Sequence, residues 1–317
     1  MKALNEFDVI RRFFVRPQAE AGAGDGVVLG VGDDAAILRP NPAMDLVVAV
    51  DTLVDGVHFP RDMAPSDIAW RTLATNLSDL AAMGATPRWF TLALSLPSVD
   101  EQWLEGFSDG LFALARQSSI TLVGGDTTRG PLTISITVHG ELEQGTGLTR
   151  RGAQPGDNVY ITGAPGIAAL GLQQWEATSF DAAARERFCR PVPRLSFGQQ
   201  LRGLATAAID VSDGLLADAG HIAHQSSVGI VLNSAQIPLA PALTVLGEQQ
   251  ALALALGGGD DYELCFTAPA CAHDSIMKIA QNEGVDCTLI GEVTDGSGIQ
   301  CAGASITVSG YDHFGGA

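Results

Sequence analysis

The chain has 317 residues, 46% of them hydrophobic, and a formal net charge of −18 at pH 7. This length favours two domains over a single compact core. The acidic charge argues against nucleic acid as a partner, since neutralising a phosphate backbone needs a basic surface. No apolar run reaches the roughly 18 residues of a membrane span, which argues against a membrane protein.

The amino terminus and the cysteines predict a soluble, cytoplasmic protein. Residues 1–8 read MKALNEFD and carry acids where a signal peptide would have its apolar region. The five cysteines are an odd number without a CxxC spacing, which argues against a disulfide scaffold or a zinc site. We expect most of them to be small buried residues.

The first half of the chain predicts a mixture of strands and helices. A buried strand is expected at 46–50, and a helix at 66–83 with Ser66 as N-cap and Gly84 just beyond its end. Apolar and polar residues alternate at 90–96 and again at 134–138, which is typical of half-buried strands. Apolar residues at helical spacing predict a helix over 103–114 between them.

A polar, turn-rich stretch at 143–157 predicts the domain boundary, giving domains 1–148 and 149–317. The fold class is then α/β with two domains. The elements expected in the second half are strands at 158–162, 207–210, 229–233 and 262–267, two short strands at the end, and helices after Pro165, near 196–206, at 213–226, near 242–256 and at 273–283.

Aspartates stand beside glycines in both halves of the chain, at 32–35, 51–56, 124–126, 210–214 and 258–261. Several of these motifs follow an apolar run directly, which predicts carboxylates held just past buried strands and facing water. Hard cations such as Mg²⁺ prefer such oxygen ligands. Turn chemistry explains part of the pattern, because Asp and Gly both suit turns. A metal-nucleotide enzyme is the leading hypothesis.

Lysine is almost absent, with only Lys2 and Lys278. This excludes a GxxxxGK[ST] phosphate loop and a protein-kinase-type lysine on an internal strand. If the protein binds ATP, arginines and metal ions must neutralise the phosphates. The adjacent Arg150 and Arg151 are candidates, with a solvated linker as the alternative.

Each motif has a competing structural interpretation. GVGDDA at 30–35 imitates a dinucleotide fingerprint, but Asp33 and Asp34 would repel the phosphates, so a metal-ligand turn fits better. GGDTTRG at 124–130 is equally consistent with a hairpin turn. DVSDG at 210–214 precedes a helix, where Ser and Asp are ordinary N-caps and where the helix start would also attract phosphate.

Other polar residues favour structural roles. His221 and His224 lie three apart on a helix without a third ligand nearby, so we expect an exposed pair rather than a metal site. The charge run at 181–187 predicts a solvated helix face. No Ser-His-Asp or Cys-His arrangement can be assembled, so covalent catalysis lacks support.

Taken together, the motifs resemble the thiamine-monophosphate kinase family of the aminoimidazole-ribonucleotide-synthetase-like superfamily. The resemblance rests on GDDA at 32–35, DTLVDGVHF at 51–59, NLSDLAAMGA at 76–85, GGDTT at 124–128, DVSDGL at 210–215, GGDDYEL at 258–264 and GYD at 310–312. It implies an N-terminal domain that forms a dimeric sheet or barrel with its twin, a C-terminal α/β domain, and ATP-dependent phosphorylation of thiamine monophosphate.

The resemblance also implies roles for individual residues. The metal ligands would be Asp34, Asp51, Asp79, Asp126, Asp210 and Asp213. Nucleotide contacts would fall on Gly125, Asp126, Arg150 and Ser212, and substrate contacts on His58, Asp260 and Tyr311. In our hypothesis Asp126 and Asp213 hold catalytic Mg²⁺ ions while Arg150 steadies the triphosphate.

Two departures and two rivals accompany the resemblance. Family members often have hydroxyl residues where Ala49 and Val50 stand here, and often Glu where Asp260 stands. A selenophosphate synthetase is disfavoured because no cysteine precedes Cys189. A purine-pathway ATP-dependent synthetase of the same superfamily and a non-catalytic acidic metal- or nucleotide-binding module remain as alternatives.

Overall fold

The computed structural model describes residues 5–15 and 26–303. These residues divide into two compact units. The first comprises the residues up to Leu80 together with Ala85–Gly145, and the second comprises Ala81–Gly84 together with the residues from Thr146 onward. Within the described ranges, no helix is long and apolar enough to cross a membrane.

Among its described residues, the first unit has six strands, three α-helices and one π-helical turn. In chain order these are α1 (Glu6–Val9), followed at once by a π-helical turn (Ile10–Phe14), then β1 (Val27–Leu29), β2 (Ile37–Leu38), β3 (Met44–Val54), α2 (Pro65–Ala82), β4 (Thr86–Leu96), α3 (Glu101–Gln117), β5 (Thr121–Arg129) and β6 (Thr133–Glu143).

A four-stranded sheet organises this unit in the order β3-β6-β4-β5, with β1 and β2 as a separate antiparallel pair. β6 runs antiparallel to both β3 and β4, whereas β4 and β5 are parallel. The alternating pattern of β6 buries Ile134, Ile136 and Val138 completely on one face. On β3, which forms one edge of the sheet, the alternation leaves Leu46, Val48 and Val50 exposed.

Helix α2 begins one residue before its predicted start and ends one residue before its predicted end. Since it begins at Pro65, Ser66 lies in its first turn and the prediction that Ser66 is the N-cap is wrong. Proline is well tolerated there, because the first N–H of a helix has no partner to lose. At the other end Gly84 adopts a left-handed φ of 68°, and the N–H of Ala85 donates to the Leu80 carbonyl at 2.8 Å, which terminates the helix.

The second unit contains a mixed sheet and seven helices among the described residues. Its elements are β7 (Asp157–Thr162), α4 (Ile167–Gln173), α5 (Ala182–Cys189), α6 (Leu195–Gln200), β8 (Ala207–Asp210), α7 (Leu215–Ser226), β9 (Gly229–Asn233), α8 (Pro241–Thr244), α9 (Glu248–Gly257), β10 (Leu264–Pro269), α10 (His273–Glu283), β11 (Cys287–Thr294) and β12 (Gly298–Ala302).

This six-stranded sheet has the order β12-β9-β11-β7-β10-β8, in which only β12 and β9 are parallel. Both faces of the sheet are buried. Val159 and Ile161 of β7 pack into one apolar cluster with residues of α7 and α9, while Tyr160, between them, packs on the opposite face with residues of α6 and α10. The sheet is therefore the middle layer of this unit.

Most predicted elements are confirmed, with three differences. The helix expected near 196–206 ends at Gln200. The helix expected near 242–256 is two helices, separated where Gly247 takes a φ of 86°. The strand expected from 262 begins at Leu264, because Tyr262 has a left-handed backbone that cannot continue a strand. The cysteines are free thiols, and three of them are buried as predicted.

Candidate active site

Two of the predicted metal ligands lie inside strands, not beyond strand ends. Asp51 is part of β3 and Asp126 is part of β5. The hairpin interpretation of residues 124–130 is therefore wrong, because β5 continues to Arg129 and stays in register with β4. The register shifts once, between Phe90 and Thr91, where β5 has one extra residue, Val123, just before the glycines. A Cβ at Gly125 would lie 1.9 Å from the Leu92 carbonyl oxygen, so only glycine fits there.

Asp51 contacts polar residues of helix α2. Its N–H donates to Asn76 Oδ1 at 3.0 Å. Burial raises the pKa of the Asp51 carboxyl, and a hydrogen bond from the Thr75 side chain acts in the opposite direction. Asp79 follows one turn later on α2 and is half-buried. A bound cation would offset the desolvation of the Asp51 carboxylate.

Asp126 is not brought to Asp51 within this sheet. Residues paired across neighbouring strands form rows that cross the sheet. Asp126 lies in one row with Ala93, Ser135 and Thr52. Asp51 pairs with the buried Ile136 in the next row. Adjacent rows face opposite sides of a sheet. The two strands are also separated by β6 and β4, so three spacings of about 4.8 Å place their backbones ~14 Å apart. Asp51 and Asp126 of one sheet therefore cannot share an ion.

The carboxylates do not form a protein-only metal cage. Among residues 5–15 and 26–303, no group of three or more His, Cys, Asp or Glu side chains is arranged to hold a metal ion. Asp34 is exposed beyond β1, where its N–H donates to Asp33 Oδ1 at 2.8 Å. The donor chemistry still fits Mg²⁺, because this ion is usually bound by one or two carboxylates and completes its octahedron with water and phosphate oxygens.

His58 follows β3 and has a fixed ring orientation. Its Nδ1 accepts the N–H of Val54 at 3.0 Å. In the neutral imidazole the proton is therefore on Nε2, which makes that atom a donor. The side chain is half-buried. The predicted substrate contact at this position is thus a hydrogen-bond donor held by its own strand.

In the second unit, the loop between β8 and α7 is organised by Asp218. Its Oδ2 accepts the backbone N–H groups of Ser212, Asp213 and Gly214 at 3.0, 3.0 and 3.1 Å. Gly214, without a side-chain cap, occupies the N-cap position, so the interpretation of Ser212 and Asp213 as N-caps is wrong. An internal carboxylate already binds these three amides, and the expected attraction of phosphate to the start of α7 stays a prediction.

Asp218 is only 3% exposed. Burial, together with the charges of Asp210 and Asp213, raises the pKa of its carboxyl to about 7 against the lowering effect of the amide hydrogen bonds. Asp210 is buried at the end of β8, while the side chains of Ser212 and Asp213 are half-buried. The loop therefore presents one hydroxyl and one carboxylate on a fixed backbone.

Residues 258–263 lie directly beside this loop. The N–H groups of Asp260 and Tyr262 donate to the carbonyls of Ser212 and Val211 at 2.8 and 2.9 Å, and Val211 N–H donates to the Glu263 carbonyl at 2.8 Å. A Cβ at Gly259 would lie 2.3 Å from the Ser212 carbonyl oxygen, so the approach requires glycine. The structure thus brings together the predicted nucleotide residue Ser212, the metal residue Asp213 and the substrate residue Asp260.

Two buried acids that anchor this segment were missed from the sequence. Asp261 accepts the N–H groups of Gly166 and Ala168 at 2.6 and 3.3 Å. Burial raises the pKa of Asp261 to about 8, although both amide hydrogen bonds oppose the shift. Glu263 is completely buried and accepts hydrogen bonds from Arg187 of α5 and from Arg194, the residue before α6. The sequence indicated these two acids only through their membership of the GGDDYEL motif at 258–264.

The ion pairs of Glu263 correct the interpretation of residues 181–187 as a purely solvated face. Arg187 donates to Glu263 Oε1, and Arg194 donates from Nε and Nη2 at 2.7 and 2.6 Å. Thr162 Oγ1 adds a fourth hydrogen bond at 2.5 Å. The segment that carries Asp260 is therefore tied to β7, α5 and α6.

The remaining predicted residues lie at the surface or outside the described residues. Arg150 and Arg151 are exposed, and the Arg150 carbonyl accepts Ser226 Oγ at 3.1 Å, which attaches this loop to α7. His221 and His224 are exposed on α7, as predicted. Tyr311 lies outside the described residues.

Comparisons with known proteins agree with this architecture. The model of the AIR synthase related protein N-terminal domain matches residues 32–142, and that of the C-terminal domain matches residues 154–302. Thiamine-monophosphate kinase of Escherichia coli (strain K12) is 46% identical over 324 residues, covering 98% of this chain and 99% of that protein.

Two solved structures extend the comparison. Thiamine-monophosphate kinase from Stenotrophomonas maltophilia K279a superposes with a TM-score of 0.88 at 47% identity, covering 96% of this chain and 99% of that one. AaThiL complexed with AMPPCP and TMP gives a TM-score of 0.78 at 32% identity, covering 90% of this chain and 92% of that one. The chain belongs to the thiamine-monophosphate kinase family of AIR synthase related proteins.

Proposed function

We propose that this protein phosphorylates thiamine monophosphate to thiamine diphosphate with ATP as co-substrate. The observation that carries the proposal is full-length similarity to thiamine-monophosphate kinases, at 46% identity over 98% of the chain. A relative of the same family has been solved as a complex with AMPPCP and TMP. The protein is thus a phosphotransferase whose acceptor is itself a phosphate group.

The geometry supports direct in-line transfer. Phosphoryl transfer needs positioning and charge neutralisation rather than covalent chemistry from the protein. The acceptor oxygen is already anionic, so it needs no strong general base. The β8–α7 loop, with Ser212 and Asp213, lies hydrogen-bonded beside Asp260, which would bring nucleotide and acceptor contacts next to each other.

We assign the charge neutralisation to Mg²⁺ and to Arg150. Mg²⁺, when bound, would supply Lewis-acid stabilisation of the transferring phosphoryl group. The residues proposed to hold it are Asp34, Asp51, Asp79, Asp126, Asp210 and Asp213. Gly125, Arg150 and Ser212 would contact ATP, and His58, Asp260 and Tyr311 would contact thiamine monophosphate. Each carboxylate group would supply one or two ligands, with phosphate oxygens supplying others.

We also propose that two copies of the chain form a homodimer through the first unit. Strand β3 is a long edge strand, and an uncovered edge of this kind readily pairs with another chain. Its outward row contains Leu46, Val48 and Val50, which are 46%, 55% and 61% exposed. Apolar side chains adjacent on one strand are typical of a surface that another subunit covers. The cytoplasmic location expected from the sequence stays a prediction.

The deciding experiment measures ADP and thiamine diphosphate formation with purified protein, ATP, thiamine monophosphate and Mg²⁺. We expect turnover that requires all three, stops with EDTA and returns with added Mg²⁺. Turnover only with a purine ribonucleotide as second substrate would favour the synthetase alternative. Binding of ATP without any turnover would favour a non-catalytic module.

Asp126→Asn tests the site assignment within this function. We expect kcat to fall by about 100-fold or more, since an amide is a poor substitute for a carboxylate at a metal ion, while the unfolding temperature stays near that of the wild type. Asp109→Asn, an exposed acid of α3, is the matched control and should leave kcat unchanged. Near-normal kcat for Asp126→Asn at ordinary Mg²⁺ concentration would contradict the assignment.

A further inference from the structure

The segment before β10 has an unusual backbone. Only four non-glycine residues in the described part of the chain have a positive φ, and two of them are Asp260 at 71° and Tyr262 at 51°. Aspartate tolerates the left-handed region, but for a bulky residue such as tyrosine this conformation is a true outlier. Conformations of this kind persist only where the surroundings determine them strongly, and they cluster at functional sites.

The surroundings hold this segment from two sides. The backbone N–H groups of Asp260 and Tyr262 are bound by carbonyls of the β8–α7 loop, at 2.8 and 2.9 Å. The side chains of Asp261 and Glu263 are both buried, and backbone amides and arginines bind them. Each of residues 260–263 is thus held through its backbone or its side chain, which fixes where the side chains of residues 260 and 262 lie.

The result is a contact between those two side chains. The Tyr262 hydroxyl donates to Asp260 Oδ1 at 3.2 Å. Tyr262 is 8% exposed, whereas Asp260 is half-buried at the surface of the loop. A rigid, buried phenol therefore holds one oxygen of a carboxylate that solvent and ligand can reach.

We propose that Tyr262 is a positioning residue for the acceptor substrate. Its hydroxyl selects one orientation of the Asp260 carboxylate, so that the acid meets a donor or cationic group of the acceptor without first losing rotational freedom. The left-handed backbone at residues 260 and 262 is what places the phenol within reach of the carboxylate. This inference rests on the proposed function, in which Asp260 contacts thiamine monophosphate.

The test compares steady-state kinetics of Tyr262→Phe with those of the wild type. Phe keeps the buried ring and removes only the hydroxyl. We expect the KM for thiamine monophosphate to rise about tenfold, which corresponds to one hydrogen bond to a charged group. The KM for ATP, kcat and the unfolding temperature should stay close to the wild-type values, an outcome that a purely structural role would not give.

The matched control is Tyr160→Phe, which removes another buried phenol hydroxyl of the same unit. That hydroxyl contacts Asn158 and His273 at 3.0 and 3.1 Å, so its loss should leave the KM for thiamine monophosphate unchanged. Asp260→Asn should raise this KM by itself, and adding Tyr262→Phe to it should raise it little further, because both changes remove one interaction.

The possible results distinguish a wrong positioning role for Tyr262 from a wrong proposed function. A raised KM for Asp260→Asn together with a normal KM for Tyr262→Phe would overturn the positioning role and leave the function intact. Fully additive effects in the double variant would also overturn it. A wild-type protein that shows no turnover dependent on thiamine monophosphate would overturn both.

Discussion

Replacing Glu263 by Gln should destabilise the protein strongly although the change alters only one atom and one charge. Glu263 is completely buried, and its two arginine partners have side chains that are 24% (Arg187) and 16% (Arg194) exposed. Removing one member of a buried pair leaves uncompensated charge and costs about 3–5 kcal/mol. For a protein unit of this size that loss corresponds to a fall in Tm of ~10 °C.

The pH dependence gives a second, independent measurement of the same pair. Burial alone would raise the pKa of Glu263, but the hydrogen bonds and charges of Arg194 and Arg187 outweigh it and hold the pKa below its ordinary value of 4.5. The stabilisation is therefore present above that ordinary value and is lost as the pH falls through the lower pKa of the folded protein. The free energy of unfolding of the Glu263→Gln variant should therefore fall less than that of the wild type over this acidic range.

Urea and thermal unfolding of wild type and Glu263→Gln, from neutral pH down to about pH 2, would check both expectations. Glu292→Gln is the matched control, because Glu292 is exposed on β11 of the same sheet. A change of less than about 1 kcal/mol, similar to that of an exposed ion pair, would refute the argument. It would mean that the free-energy cost of burying this carboxylate and the free energy gained from its attraction to the arginines cancel.

Two further changes test the loop and the proposed dimer. Asp218→Ala should weaken ATP binding about tenfold, because the three amide groups of the β8–α7 loop lose their common acceptor; isothermal titration would measure it, and Asp218→Asn, which retains an acceptor oxygen, is the control. Unchanged ATP affinity in the Ala variant would contradict the positioning of this loop by Asp218. Val48→Asp should convert the dimer to monomers in sedimentation velocity, whereas Val245→Asp, at a residue 82% exposed outside the sheet, should not. A wild-type protein that sediments as a monomer, or an unchanged dimer in Val48→Asp, would refute the proposed interface.

Local patterns predicted the secondary structure well where one face of an element is buried. The alternation through Ile134, Ile136 and Val138 reflects a strand with one covered face, and the structure has β6 there. The break between α8 and α9 was not predicted, since apolar spacing continues across it and only the conformation of Gly247 interrupts the helix. The order of strands in each sheet also depends on contacts that no local pattern encodes.

The sequence offered candidate site residues, whose roles stay predictions, but it did not indicate their geometry. Glycine beside aspartate is typical of turns, which is why Asp126 was expected at a strand end. In the structure the glycines lie inside β5, where Gly125 lets the backbone of β5 approach that of β4 closely. Glu263 was missed because its partners lie 76 and 69 residues away in sequence. Likewise, a capping motif gives no indication that Asp218, a turn further along, binds the three amides of residues 212–214.

The carboxylate of Asp218 has a consequence for the catalytic cycle. Loops that bind phosphate through their amides lose those hydrogen bonds each time the nucleotide leaves, and must then rearrange or admit water. Here the three amides of residues 212–214 already have a partner that belongs to the chain, so their hydrogen bonds do not depend on a nucleotide oxygen. Release of ADP would therefore leave this loop intact, and the next ATP would meet a surface that needs no refolding.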